Sequence, residues 1–303
     1  MGAPISTGSH PKALWPGVNA WFGVGYGEHP EEWRKLYEVM KSRQHFEEDV
    51  QMKGFGLMPV KNEGSSTQYV GHTQGYISRY THIAYSLGFI VTYEELQDNL
   101  YEKLAGSRAK ALGFSKRQTI ETLAAAVYNN GFSSSYTGGD GKELFATDHP
   151  TATGNQANEL SSAADLSEAS LEDLCTLIMG ITDDAGNEIA LMPQSLIVPR
   201  QLWFEANRVY KSTLQNDSAN NAINVLKAVN AIPGGIEMNH YLTDADAFFM
   251  RTNCPDGMKC FVRDEFQLKK DNDFDTDNAK AKTYWRGSFG WTDWRGAVGS
   301  PGV

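Results

Sequence analysis

The stretch from Phe46 to Val91 constrains this chain most, because it is extended, polar at its centre and short of apolar company. Tyr76–Val91 is rich in Tyr, Ile, Thr and Val, residues that suit a pleated strand. It alternates Ile77, Thr81, Ile83, Tyr85 and Leu87 against polar Ser78, His82 and Ser86. Phe46–Val60 offers a second extended segment, and Lys61–Gly75 between them holds Gly64, Gly71, Gly75 and several Ser, Thr and Gln residues. The pattern predicts a long β-hairpin over residues 46–91 with a flexible polar tip. A lone two-stranded hairpin is marginal in water. It has to lie on another surface, and a neighbouring copy of the chain would supply one.

Composition narrows the class further. With 303 residues, 41% of them hydrophobic, the chain can bury one large core or two modest ones. Its longest apolar runs, such as Leu87–Val91 and Ile189–Met192, fall far short of the roughly 20 residues of a membrane span. Met1–Trp21 shows no basic start followed by an apolar run, so no secretion signal is read there; its Gly, Pro and Ser content predicts an extended arm. A net charge of −10 disfavours gripping phosphate backbones, since lysine and arginine drive that affinity. Cys175, Cys254 and Cys260 are too few and odd in number for a disulfide framework, and a reducing cytoplasm is the expected place of synthesis.

Helix signals follow in order. Pro30 with Glu31 and Glu32 predicts a short helix carrying Trp33, Leu36, Tyr37 and Met40 on one stripe. Thr92–Glu95 has the form of a capping box, with Leu96, Leu100 and Leu104 continuing the pattern. A break or kink is expected at Leu112-Gly113-Phe114, then a second capping box at Ser115–Gln118. Ile120, Leu123, Ala124, Val127 and Tyr128 form a helical stripe ending at Asn129-Asn130-Gly131. Residues 132–162 read as loop. Ser170 is the expected cap of a helix with Leu171, Leu174, Cys175 and Ile178 inward and Gly180 at its end. Asp183–Gly186 is a turn, Ser195–Val198 a buried strand, and Pro199 opens a helix over Arg200–Lys211. Gln215–Asn224 reads as a mobile loop, and Cys260–Val298 as strands joined by the acidic turn Asp271–Asp277.

Motifs that could carry chemistry fail on spacing. Gly23-Val24-Gly25-Tyr26-Gly27 has Glu28 where a dinucleotide fingerprint needs glycine. Asp271, Asp273, Asp275 and Asp277 alternate like a calcium loop, but Thr276 and Lys282 stand at its glycine and glutamate positions. Cys254 and Cys260 lack a second pair of zinc ligands at a suitable distance in sequence. Asp148-His149 with Ser133, Ser134 or Ser135 could be drawn into a hydrolase triad, yet no Gly-x-Ser-x-Gly elbow is present. No catalytic, cofactor-binding or metal-binding residue is assigned.

The order of elements resembles the major capsid protein of tailed bacteriophages. Gly75-Tyr76 through Leu87–Thr92 into Glu94-Glu95 is similar to that family's extended loop returning into its spine helix. Asn129-Asn130-Gly131-Phe132 followed by Leu144–Pro150 is similar to the segment after the spine, and Tyr284–Gly290 through Trp294-Arg295-Gly296 to the closing strands. The likeness covers about residues 20–300.

The resemblance implies an α+β fold in which a long spine helix lies against the β-sheet of a peripheral domain. It divides the chain into an N-terminal arm with short helix (1–45), an extended loop (46–91), spine and first peripheral part (92–165), a mixed axial domain (166–257) and closing peripheral strands (258–303). It implies a non-enzymatic shell subunit forming pentamers and hexamers around double-stranded DNA, with a portal protein, no membrane partner and DNA contacted non-specifically at most. An acidic wall suits such a container. Some members begin with a helical assembly-guiding segment that is cut away; with the arm starting near Met1, a separate scaffolding protein is the expected guide. Trp33, Tyr69, Tyr76 and Tyr80 are the expected inter-subunit contacts, since aromatics are enriched in interface cores. Two alternatives stay open: a cellular nanocompartment shell of the same fold, and a Ser/His/Asp hydrolase.

Overall fold

The computed structural model describes residues 15–71, 74–92, 94–95, 101–214, 223–272 and 278–303. The arm before Trp15, Leu96, Leu100, the Leu104 side chain, most of 215–224 and residues 273–277 lie outside that set.

The chain enters through a helix, α1 (Trp15–Gly27), where an extended arm was expected, and no helix opens at Pro30. Trp33–Lys35 makes a single 3-10 turn, and strand β1 (Glu38–Lys41) follows it. The stripe was right about burial, since Trp33, Leu36 and Tyr37 all face inward, but wrong about the backbone. The Glu121 carboxylate accepts the amides of Glu32 and Trp33, both at 2.9 Å, which caps the turn. Beyond it, pairing of Glu38–Lys41 with Lys259–Val262 gives the backbone a ladder that a helix would forgo.

The spine helix, α2 (Tyr101–Asn129), runs unbroken for 29 residues through both expected interruptions. Gly113 marks a helix crossing. A Cβ there would stand 2.4 Å from the Phe22 carbonyl oxygen, and one on Gly25 would stand 2.1 Å from that of Lys110. Ser115 lies inside the helix, where its carbonyl accepts from the Thr119 hydroxyl at 2.9 Å. Gly113→Ala should therefore destabilise the fold by about 1–3 kcal/mol by overpacking, against the stabilising sign that alanine has in an open helix. A denaturant midpoint above wild type would contradict the crossing.

Four strands make the sheet under the spine, in the order β1, β10 (Met258–Asn272), β11 (Ala279–Trp291), β4 (Ile83–Val91). Ile120, Ala124 and Tyr128 of the spine pack on Met258, Cys260 and Trp285 of this sheet. The second sheet has the order β12 (Ala297–Ser300), β9 (Phe248–Thr252), β7 (Pro193–Pro199), β8 (Ile236–Asn239). Leu196–Val198 of β7 and Phe248–Met250 of β9 read as continuous apolar runs because both faces are covered. Leu196, Val198, Phe248 and Met250 meet α3 (Glu168–Met179) and α4 (Trp203–Lys211), while Ile197 and Phe249 turn toward Tyr128 and Phe145. Phe249 stacks on Phe145 at 5.1 Å, so one face of the second sheet contributes to the core under the spine.

Several boundaries shift. Ser167, not Ser170, caps α3, with Ser170 closing the capping box from inside the helix; the inward residues and the Gly180 terminus stand as expected. Helix α4 begins at Trp203, three residues after the expected start. Within 132–162, β5 (His149–Thr151) and β6 (Gly154–Gln156) form a small hairpin. The closing strands divide between sheets. Gly257 and Gly296 approach so closely that a Cβ on Gly296 would lie 2.5 Å from the Gly257 Cα, and the turn there sends β12 to the second sheet.

The 46–91 hairpin is also divided. Only β2 (Phe46–Val50) and β3 (Ile77–Thr81) pair with each other, while Ile83–Val91 is the β4 partner of β11. Of the two alternating faces the polar-leaning one turns inward: Ser78, Tyr80 and His82 are buried, and Ile77, Ile83 and Leu87 are exposed. A period of two says which residues share a face but not which face turns inward. Here Tyr80 decides it, packing on Phe261 at 4.8 Å and sharing a 2.8 Å hydrogen bond with Thr292. His82 sits between the Ser42 and Ser288 hydroxyls, each at 2.9 Å.

Candidate assembly surface

The β2–β3 hairpin is the root of a long excursion. The Gln51 amide donates to the Tyr76 carbonyl at 2.9 Å, and Gly75 lies against Gln51 so closely that any side chain would collide with its carbonyl. Beneath the hairpin, Lys259 is buried and donates to Asp49 and, at 2.6 Å, to Asp256; Thr292 also donates to Asp49, at 2.8 Å. Burial alone would push the Lys259 ammonium down, but its bonds to Asp256 and Asp49 outweigh this and hold it above the ordinary lysine value. The hairpin root is thereby fixed to the spine sheet.

A second tie reaches the other sheet. Lys53 lies 3.5 Å from Asp184, which also receives Arg295 at 3.1 Å; Arg295 pairs with Asp293 at 3.2 Å. The Lys53 ammonium lies 5.4 Å from the centre of the Tyr76 ring. Past these anchors the chain carries Leu57, Met58, Val60, Tyr69 and Val70 with their side chains in the open, Met58 96% exposed and Tyr69 92%. Apolar side chains spaced so densely on an anchored excursion are what an interface uses and a monomer does not need.

The four expected contact residues separate into two pairs. Tyr69 is exposed on the excursion, and Tyr76 is half-buried at its base. Trp33 and Tyr80 are 3% and 4% exposed and serve the chain's own core, Trp33 edge-on to Phe289 at 5.6 Å. Their rings are spent on intramolecular packing because the 3-10 turn and β3 both lie directly on the spine sheet. Sequence reasoning missed a second exposed apolar group, Phe204 on α4 with Val225 and Val229 at the ends of helix α5 (Val225–Ala228). Phe204 next to Trp203 at the start of the helix, off the stripe of Ala206 and Tyr210, was its available signal.

Among the described residues His149 and Asp148 are held by partners other than a serine. His149 is fully buried and stacks on Trp294 at 4.4 Å. Its Nδ1 donates to Asp140 at 2.6 Å and its Nε2 lies 3.1 Å from Asn158, so both ring nitrogens have structural partners and neither is a serine. Asp148 pairs instead with Lys142. Among the described residues no cluster of His, Cys, Asp or Glu could hold a metal ion, and no helix is long and apolar enough to cross a membrane.

The thiols are free. Burial pushes Cys175 up to about 11 and Cys260 up to about 12, and pushes Cys254 upward as well. A thiol at about 11 is roughly one part in a thousand thiolate at pH 8. Alkylation of the native chain at that pH should be at least about 100-fold slower than of the urea-unfolded chain; comparable rates would show an open site.

Residues 76–300 match the sequence model of a family described as phage capsid protein. The chain belongs to this phage capsid protein family. The family is structural and not an enzyme class, so the chain is a capsid shell subunit. Solved structures show the same fold at low identity. The virus-like particle from Pyrococcus furiosus matches with a TM-score of 0.56 at 14% identity, over 95% of this chain and 99% of that one. The bacteriophage JBD30 capsid decorated with minor capsid protein trimers gives 0.53 at 13% identity, over 71% and 92%. The capsid of an empty GTA particle gives 0.51 at 13% identity, over 88% of each chain. Among curated proteins none matches in sequence.

Proposed function

We propose that this capsid protein builds the icosahedral head of a tailed bacteriophage, as pentamers and hexamers enclosing double-stranded DNA. The observation that carries this reading is the anchored excursion between Gln51 and Tyr76, whose exposed apolar side chains need a second copy to cover them. The spine with its four-stranded sheet is the peripheral domain, and the second sheet with α3–α5 the axial domain near capsomer centres. Subunits made in the host cytoplasm assemble with a separate scaffolding protein and a portal, and the product is the virion shell. The net charge of −10 suits a wall that does not bind its packaged genome.

A second reading is a nanocompartment shell that encloses protein, supported by the fold likeness to the virus-like particle over nearly the whole of both chains. Expression of the full chain, sedimentation and electron microscopy test both. Closed particles are expected, with nuclease-protected DNA when packaging partners are present. Particles filled with one protein species favour the nanocompartment, and single subunits at high concentration sink both.

A further inference from the structure

His82 occupies the joint between β3 and β4, where the root of the excursion meets the spine sheet, and it is 4% exposed. Its ring bridges two other segments. Nε2 lies 2.9 Å from the hydroxyl of Ser42, just past β1, and Nδ1 lies 2.9 Å from that of Ser288 on β11. The neighbours fix which nitrogen holds the proton. The Ser42 hydroxyl donates to Glu47 of β2 at 2.5 Å and accepts the Gln44 amide at 3.2 Å. Toward the ring the Ser42 oxygen can only accept, so Nε2 carries the hydrogen and Nδ1 accepts from Ser288. The His82 amide adds a 3.4 Å bond to the His45 carbonyl. One neutral imidazole thus joins the end of β1, the start of β2, β11 and the start of β4.

A second proton on this ring meets an unfavourable setting. It would sit on Nδ1, where the Ser288 hydroxyl would have to turn from donor to acceptor. Arg286 stands two residues from Ser288 on the same face of β11, opposite Ala84 of β4. Its Nε is buried and, among the described residues, has no hydrogen-bond partner. A protonated His82 would therefore add positive charge beside a guanidinium that is already poorly compensated. Burial pushes the imidazole below the ordinary histidine value; Glu47 of β2 pulls it up, while Arg286 of β11, Arg263 of β10 and His45 before β2 push it further down.

We infer that His82 is an acid-sensitive latch: neutral, it locks the hairpin root to the spine sheet, and protonated, it releases that root. The sign follows from linkage. A histidine held below its ordinary value contributes its stability in full above about pH 6.5, and that stability is lost as the pH falls through the lowered value. The excursion between Gln51 and Tyr76 hangs from this root, so acid also loosens the surface through which copies meet. That last consequence, unlike the latch itself, rests on the shell reading above.

Hydrogen exchange on the full chain tests it. With rates corrected for the intrinsic effect of pH, the amides of Phe46–Val50 and Ile77–Thr81 should exchange at least about threefold faster at pH 5.5 than at pH 7.5. Ordinary carboxylates stay ionised across that range. His82→Gln should remove most of the acceleration. Arg286→Gln, which leaves the imidazole in place, should shrink it, and Glu47→Gln should enlarge it. A histidine with a merely structural role would not give those opposite signs. Equal rates at the two pH values in the unaltered chain overturn the latch, as does undiminished acceleration in His82→Gln, or a shift in the same direction from Arg286→Gln and Glu47→Gln. Failure of the unaltered chain to form particles would instead sink the shell reading, and the exchange result would stand apart from it.

Discussion

With residues 53–75 replaced by a short glycine–asparagine turn, the subunit will fold, stay soluble and form no particles. Strands β2 and β3 remain, closed by the hydrogen bond between Gln51 and Tyr76, and the bonds of Lys259 to Asp49 and Asp256 lie outside the excision. The ties that go include Lys53–Asp184, whose aspartate keeps Arg295, and the approach of Lys53 to the Tyr76 ring, together worth about 2 kcal/mol or less. The melting temperature should therefore move by no more than about 5 °C. The loss to assembly is far larger. Leu57, Met58, Val60, Tyr69 and Val70 leave together, and burying each such side chain contributes about 1.5–3 kcal/mol. Repeated at every subunit contact, that loss should lower particle yield by more than about 100-fold. Sedimentation with a circular-dichroism melt reads both halves, and wild-type particles from the excised chain would remove the excursion from assembly.

Glu121→Ala will destabilise the fold strongly. Glu121 lies on the spine, almost fully buried, accepts the amides of Glu32 and Trp33, and receives Arg117 at 3.1 Å. Its removal strands two backbone donors and leaves the buried Arg117 with only the Tyr26 carbonyl and ring, for a cost of about 3–5 kcal/mol. The Glu121→Leu, Arg117→Met double variant, which removes both charges and keeps the volume, should regain about half of that or more. Urea unfolding measures the three chains; an alanine variant within about 1 kcal/mol of wild type would contradict the cap.

How much of this was legible beforehand depended on the range of the interaction. The Leu171, Leu174, Cys175, Ile178 stripe and its glycine terminus were readable because helical periodicity and a C-terminal glycine act within a few residues. The capsid likeness was readable because it rests on the order of such segments. Gly113 was misread as a break, since its partner Phe22 lies about ninety residues away in sequence and only their meeting explains the missing side chain. Trp33 and Tyr80 were assigned to an interface for the same reason: an aromatic residue looks alike in sequence whether its partner is Phe289, Phe261 or a neighbouring subunit.

By itself, then, the amino-acid sequence determined the inward stripe and glycine terminus of α3, that the Lys61–Gly75 stretch is polar and poor in core residues, and which family the chain belongs to. The tertiary structure alone decided that Ile83–Val91 leaves the hairpin for the spine sheet, that Tyr80 and His82 turn inward, and that β12 closes the second sheet. Strand partners and inward faces are chosen by side chains as far as 212 residues apart, as Tyr80 with Thr292 shows. A local pattern holds no information about which of those distant residues will arrive.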